Sequence, residues 1–325
     1  MLLHPTKALL TSLILAVAGG TPALAETYPQ APIKIVVPWP AGGAGDFLAR
    51  IVADRMSSRL SQTVIVENKP GAATNIGTQQ VARAKPDGYT LLLASSNNTV
   101  NTSLYPSLGL DFIKDFKPIS NIGLAPSVLV VNSGLPASTV KEFIAYAQQH
   151  SDELNYGSSG NGSASHLAAE MFKEKTGIKA MAIPYKGSAP AITDLVANRL
   201  SMMFTVVPTI KGHVESGSLK ALCVLSNERL KAMPQVPTAD EAGLTGLRSN
   251  IWYGLVAPAG TPDDIIKTLQ NTVASILREP DVASRLADQG TVPIGDSISE
   301  FTATIADDTQ RYAALIKSAN ITAAN

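Results

Sequence analysis

A single cysteine, Cys223, occurs in 325 residues, so no disulfide framework can form within the monomer. It lies in the apolar stretch LKALCVLS, which suits a small buried hydrophobe; a reactive thiol needs electropositive, partly open surroundings. Only four histidines are present, with no H-E-x-x-H and no cysteine–histidine spacing, so no metal site is expected. The phosphate loop G-x-x-x-x-G-K-[ST] is missing, and Gly43-Ala44-Gly45-Asp46-Phe47-Leu48 lacks the third glycine of the dinucleotide fingerprint, so no nucleotide cofactor is expected. Charged residues make up 16% of the chain, with 26 basic against 26 acidic. That sparse, balanced charge gives no footing for nucleic acid or an anionic membrane surface.

No apolar run is long enough to span a bilayer. The longest candidate, Ala8 to Ala18, follows Lys7 and precedes Ala23-Leu24-Ala25, the pattern of a secretory signal peptide with a small-x-small cleavage site. No cysteine marks a lipoprotein cleavage point. The mature chain is expected to begin at Glu26 and to work outside the cytoplasm, with 25 basic and 26 acidic side chains. With 45% hydrophobic residues it can bury a large core, and its length suggests two domains.

Short β-branched runs alternate with helical patterns. Strands are predicted at Ile33–Pro38, Thr63–Glu67, Thr90–Ala94, Ser127–Asn132, Ala180–Tyr185, Leu200–Val207, Leu219–Ser226 and Ile251–Pro258, which together imply an α/β fold with largely parallel sheets. Thr261 reads as a helix cap with Pro262 in the first helical position. Ile265, Ile266, Leu269, Val273, Ile276 and Leu277 then form a core-facing stripe.

Two glycine-rich bends stand between a strand and a helix. In IKIVVPWPAGGAGDFLAR the bend is Gly42–Asp46, with Asp46 read as a cap at or near the helix start. In LNYGSSGNGSASHLAAEMF it spans Ser158, Ser159, Gly160, Asn161, Gly162 and Ser163. Unpaired amides beside the positive end of a helix dipole suit an anion, and two such loops suggest two domains facing one cleft. Each loop alone also reads as an ordinary turn. A branched side chain at Gly43 or Gly160 is expected to block a ligand while leaving the fold largely intact.

A hydrolase reading of the serines, through Ser159 or Ser163, lacks the G-x-S-x-G frame, since Gly157-Ser158-Ser159-Gly160-Asn161 has its second glycine one place early. No catalytic residue is assigned. His150 sits at a helix end and His213 in a polar connection; His166, just inside the helix after the serine loop, is either a core or capping residue or a ligand neighbour.

With the ordered motifs VVPWPAGGAGD, VENKPGAATNIG, KPDGYTLLLAS, LNYGSSGNGSASH, IPYKGSAPAITDL, VPTADEAGL and WYGLVAPAGTP, the chain resembles the Bug-type substrate-binding proteins of tripartite tricarboxylate transporters. The resemblance covers the whole mature chain. It implies a periplasmic-binding-protein fold of two α/β domains around a ligand cleft, residues 26–125 plus 250–325 and residues 126–249. It also implies a monomeric periplasmic receptor that closes by hinge motion on a small carboxylate and delivers it to membrane subunits of such a transporter. A receptor for a two-component sensor is the neighbouring alternative. By the resemblance, Gly42, Gly43, Ala44, Gly45 and Asp46 on one side and Ser158, Ser159, Gly160, Asn161, Gly162 and Ser163 on the other surround one carboxylate, with His166 and Thr205 in the site. Two departures from the family pattern are noted. Ala44 and Gly45 replace a glycine and a threonine, and Thr205, in MFTVVPT, stands where an aspartate is usual. The lost anion would suit a ligand with a second carboxylate; Thr205 alternatively only follows strand preference.

Overall fold

The computed structural model describes residues 28–151, 153–318 and 321–322; the signal-peptide segment lies outside them. The first half runs β1 (Ile33–Val37), α1 (Ala44–Leu60), β2 (Val64–Asn68), α2 (Asn75–Ala82), β3 (Thr90–Ser95), α3 (Ser96–Leu104) and α4 (Phe112–Asp115) into the long strand β4 (Phe116–Asn132). The second contributes α5 (Val140–Gln149), β5 (Asn155–Ser158), α6 (Ala164–Thr176), β6 (Met181–Pro184), α7 (Ser188–Val196), β7 (Met202–Val206), α8 (Val207–Glu215) and β8 (Leu219–Val224). The chain returns through β9 (Asn250–Pro258), α9 (Asp263–Leu277), α10 (Pro280–Asp288), β10 (Val292–Pro293) and α11 (Ile298–Ser318). No helix among the described residues is long and apolar enough to cross a membrane.

The strands follow the order β2-β1-β3-β9-β4-β7-β5-β6, with β8 and β10 also pairing with β4. The expected parallel arrangement holds only at the flanks, where β1 pairs with β2 and β3, and β5 with β6 and β7. Every pairing of β4 and β9 is antiparallel. Hydrophobic spacing reports burial and is blind to strand direction, so the two long crossing strands were not visible as such. The first part of β4 was also unread, because Pro118, Gly123 and Pro126 look like breakers; register shifts at Pro118/Ser120 and Asn121/Gly123 absorb them.

Helices flank both ends of the sheet, and the core divides accordingly. Ile35, Val37, Leu48, Val52, Leu91, Leu93, Leu255, Leu269 and Val273 pack in the first half. Leu129, Val131, Phe143, Tyr156, Phe172 and Phe204 pack in the second, together with fully buried Cys223, whose thiol burial pushes up to about 12. The helix α9 starts one residue later than the sequence suggests. Pro262 takes the cap position without a side-chain cap, and Thr261 donates its hydroxyl to Pro258 O at 2.8 Å.

Asp296, just before α11, accepts from Asn121 N at 2.8 Å, where β4 bulges. Burial first, and repulsion from Glu300 with it, push its carboxyl up to about 6 against the bonds from Asn121 and Ser120. The folded value lies above the unfolded one, so this contribution to stability is fully present below the ordinary carboxylate range and is lost as pH rises through about 6. Asp296→Asn keeps an acceptor and removes the charge. It is expected to raise the melting temperature above pH 7 by about 2–4 °C, after allowance for solvent screening, and to flatten the melting profile between about pH 4 and 7.

Candidate functional site

The parallel strands β1, β2 and β3 end at one edge of the sheet, where ligands of open α/β sheets bind. The bend after β1 lies there, flanked by the starts of α2 and α3. In the second half β5, β6 and β7 likewise end together. The pairings Ser127↔Val206 and Pro126↔Asn250 set that edge against the crossing strands, and Ser95↔Tyr253 brings the first edge to the same place. The two halves touch at this point. A Cβ built on Gly162 would lie 2.2 Å from Leu104 Cδ2 and 3.7 Å from Val100 Cγ1, so the serine loop rests on α3. Leu167 of α6 continues the contact in an apolar cluster with Val100, Leu104 and Tyr312.

In the first loop, Gly42 takes φ +84°, a backbone state open to glycine, and Gly43 is the N-cap of α1 without a side-chain cap. The expected capping role of Asp46 is corrected: it sits inside the first turn, nearly buried, and accepts from Gly42 N at 2.9 Å, Asn68 Nδ2 at 2.9 Å and Arg50 Nε at 3.0 Å. Burial alone would raise its pKa, but the bonds from Arg50, Gly42 and Asn68 outweigh it and hold the carboxyl below its ordinary range. The Gly42 amide is therefore used within the loop. Among the described residues the amides of Gly43, Ala44, Gly45 and Asp46, at the start of a 17-residue helix, have no hydrogen-bond acceptor. Gly45 has a packing reason as well, since a Cβ there would stand 2.9 Å from the Trp39 ring. A threonine at this position would require that ring to move.

The serine loop is largely bonded to itself. Ser163 caps α6, accepting from His166 N at 3.4 Å and donating to Gly160 O at 2.7 Å. Ser165, which sequence reasoning missed, accepts from Ser159 N at 2.9 Å and lies within hydrogen-bond reach of the hydroxyls of Ser159 and Ser163. Gly160 N donates to Ser158 Oγ at 3.4 Å and Gly162 N to His166 Nδ1 at 3.0 Å. Open donors remain at the amides of Asn161, Ala164 and Ser165. The expectation for Gly160 also changes: its φ of +130° means that a branched residue there strains the backbone, so folding and binding would not separate.

His166 is buried and acts as an acceptor inside the loop. Desolvation pushes its pKa down, nearby Glu170 works against that and Lys173 adds to it; with Nδ1 accepting, the neutral ring carries its proton on Nε2. The serines named for a hydrolase thus have Ser165 as hydroxyl partner, and the imidazole face that could take a proton is occupied by Gly162. Of the other histidines, His150 stacks on Tyr146 at the end of α5 and His213 lies in the last turn of α8 rather than in a loop. Thr205, in β7, is buried, with Oγ1 2.8 Å from Thr209 Oγ1. The parallel register Gly157↔Met203 places Thr205 beyond Ser158 toward the crossing. Gly162 also has φ +71°, so Gly162→Ala is expected both to strain the backbone and to drive a methyl into Leu104, read as a lower melting temperature.

The protein-family model for the tripartite tricarboxylate transporter family receptor matches residues 48–321. The chain belongs to this receptor family. The BugT protein of Bordetella pertussis is 36% identical over 308 residues, 94% of each chain. Among solved structures, Rpa4515 of R. palustris with adipate is 34% identical with a TM-score of 0.84, covering 91% of this chain and 100% of that one. MatC of Rhodopseudomonas palustris with bound malate is 30% identical with a TM-score of 0.78, covering 89% and 100%. The periplasmic-binding-protein fold follows, two α/β halves around a cleft. For a receptor of this family, the supports beneath the first loop were the part hidden in the sequence. Arg50 is legible as a partner four residues after Asp46, whereas Asn68 and Trp39 reach the loop only through the tertiary fold.

Proposed function

We propose that this receptor is an exported, monomeric protein that binds a small carboxylate between its two loops and hands it to the membrane subunits of a tripartite transporter. The observation that carries the reading is the set of open amides from Gly43 to Asp46 at the start of α1, together with a serine loop seated on α3 in the other half. Asn161, Ala164 and Ser165 supply the opposing donors, and Thr205 lines the far end. Helix-end contacts contribute up to ~2 kcal/mol each and charge-assisted hydrogen bonds roughly 1.5–3 kcal/mol. Several of these support micromolar affinity, about −8 kcal/mol, without an arginine clamp. The negative charge of Asp46 is offset by Arg50 on its outer side.

A dicarboxylate fits best. The uncharged Thr205 leaves room for a second anion, and the related proteins above carry adipate and malate. Export rests on Lys7, the apolar run Ala8–Ala18 and Ala23-Leu24-Ala25, giving a mature chain from Glu26. The hinge lies at the two crossings, between a domain of residues 26–125 plus 250–325 and one of residues 126–249, and the ligand leaves chemically unchanged. A thermal-shift screen of mono-, di- and tricarboxylates tests the assignment. A diacid is expected to give the largest upward shift; stabilisation only by uncharged or cationic solutes would reject it.

A further inference from the structure

His166 lies under the point where the serine loop meets the other half of the protein. Its Nδ1 accepts from Gly162 N at 3.0 Å, and Gly162 is the residue whose open face rests on Leu104 and Val100. We propose that His166 is a positioning residue: its neutral ring holds the Gly162 amide so that the serine loop seats on α3, and protonation of the ring unseats the loop and opens the cleft. The inference rests on the two-loop reading of the site.

The chemistry follows from donor and acceptor count. A neutral imidazole offers one acceptor nitrogen, here turned to Gly162; a protonated one has N–H on both nitrogens and no acceptor. Nδ1–H would then face Gly162 N–H at hydrogen-bond distance, two donors against each other. The charges that bear on the ring come from its own helix, Glu170 with Oε1 4.0 Å from Nε2 and Lys173 paired to Glu170 at 2.7 Å. The Tyr156 hydroxyl of β5 bonds Glu170 at 2.5 Å, and α3 contributes apolar Val100 and Leu104. Glu170 is thus already engaged by two donors, while giving a protonated ring a direction in which to turn away from Gly162. Acid should therefore weaken the seating and, with it, ligand affinity.

The test uses the full mature chain, labelled with nitrogen-15. Exchange of the Gly162 amide, corrected for its intrinsic pH dependence, and the state of the His166 nitrogens are followed from about pH 7.5 to 4.5, across the ordinary histidine range. Three forms are compared: the parent, His166→Asn, whose side-chain oxygen can still accept, and His166→Leu, which has no acceptor. Circular dichroism checks that each is folded. Loss of the hydrogen bond is expected to speed Gly162 exchange by about tenfold, in the parent only at the acid end, in His166→Leu at every pH, and in His166→Asn at neither end. Equal protection of Gly162 in His166→Leu and the parent, or a parent protection factor indifferent to pH, overturns the proposal. Adipate binding to the parent and to Gly43→Val is measured alongside. Equal adipate affinity in those two would count against the two-loop site while leaving the Gly162 result to be judged by itself.

Discussion

Gly43→Val is expected to lower carboxylate affinity by at least about 100-fold while shifting the melting temperature by less than about 2 °C. Gly43 has φ −82° and ψ 173°, a conformation any residue adopts, and a Cβ there would meet nothing closer than Pro40 O at 3.7 Å. The fold can therefore carry the valine. Its methyl groups would stand over the amides of Ala44 to Asp46, keeping a carboxylate oxygen from the distances near 2.8 Å that charge-assisted bonds require. Isothermal titration calorimetry and thermal melting, read together, decide the matter. Unchanged affinity in a folded variant would remove the first loop from the site.

Thr205→Asp should discriminate between ligands rather than weaken all of them. The new carboxylate would occupy a buried position beside Thr209, near the end of the cleft proposed to hold the ligand's second anion. Two like charges about 5 Å apart at an effective dielectric near 20 repel by roughly 3 kcal/mol before relaxation. Side-chain movement and screening should leave about 1–3 kcal/mol, a loss of roughly 5- to 150-fold for a diacid, with less than about a threefold loss for the matched monoamide. Competitive titration of the two ligands gives the ratio. Equal losses would mean that Thr205 does not sense the far end of the ligand and would leave the dicarboxylate preference without its sequence-specific support.

Local patterns made the flanks of the fold readable. Val64–Asn68 and Leu219–Val224 announce themselves by β-branched residues, and both glycine loops stand out between a strand and a helix. The centre did not. β4 carries two prolines and a glycine through its first part, and its register shifts arise only from pairing with β9. At the site, the loops were legible but the commitments of their atoms were not. Asp46 reads as a cap because short acidic residues favour helix starts, yet Asn68 and Arg50 draw its carboxylate back over Gly42. Gly45 reads as a ligand-facing glycine until the Trp39 ring is seen against it. His166, open as either cap or ligand neighbour, resolves into an acceptor for Gly162. The contact of Gly162 with Leu104 joins residues 58 apart in the chain, which no local pattern encodes.

A crystal structure of the mature chain with the acid that gives the largest thermal shift tests the central claim most directly. One ligand carboxylate is expected between the start of α1 and the serine loop, with oxygens within about 3.2 Å of amides from both the Gly43–Asp46 and the Asn161–Ser165 segments. A carboxylate bound elsewhere, or held by one loop alone in a closed molecule, would contradict it.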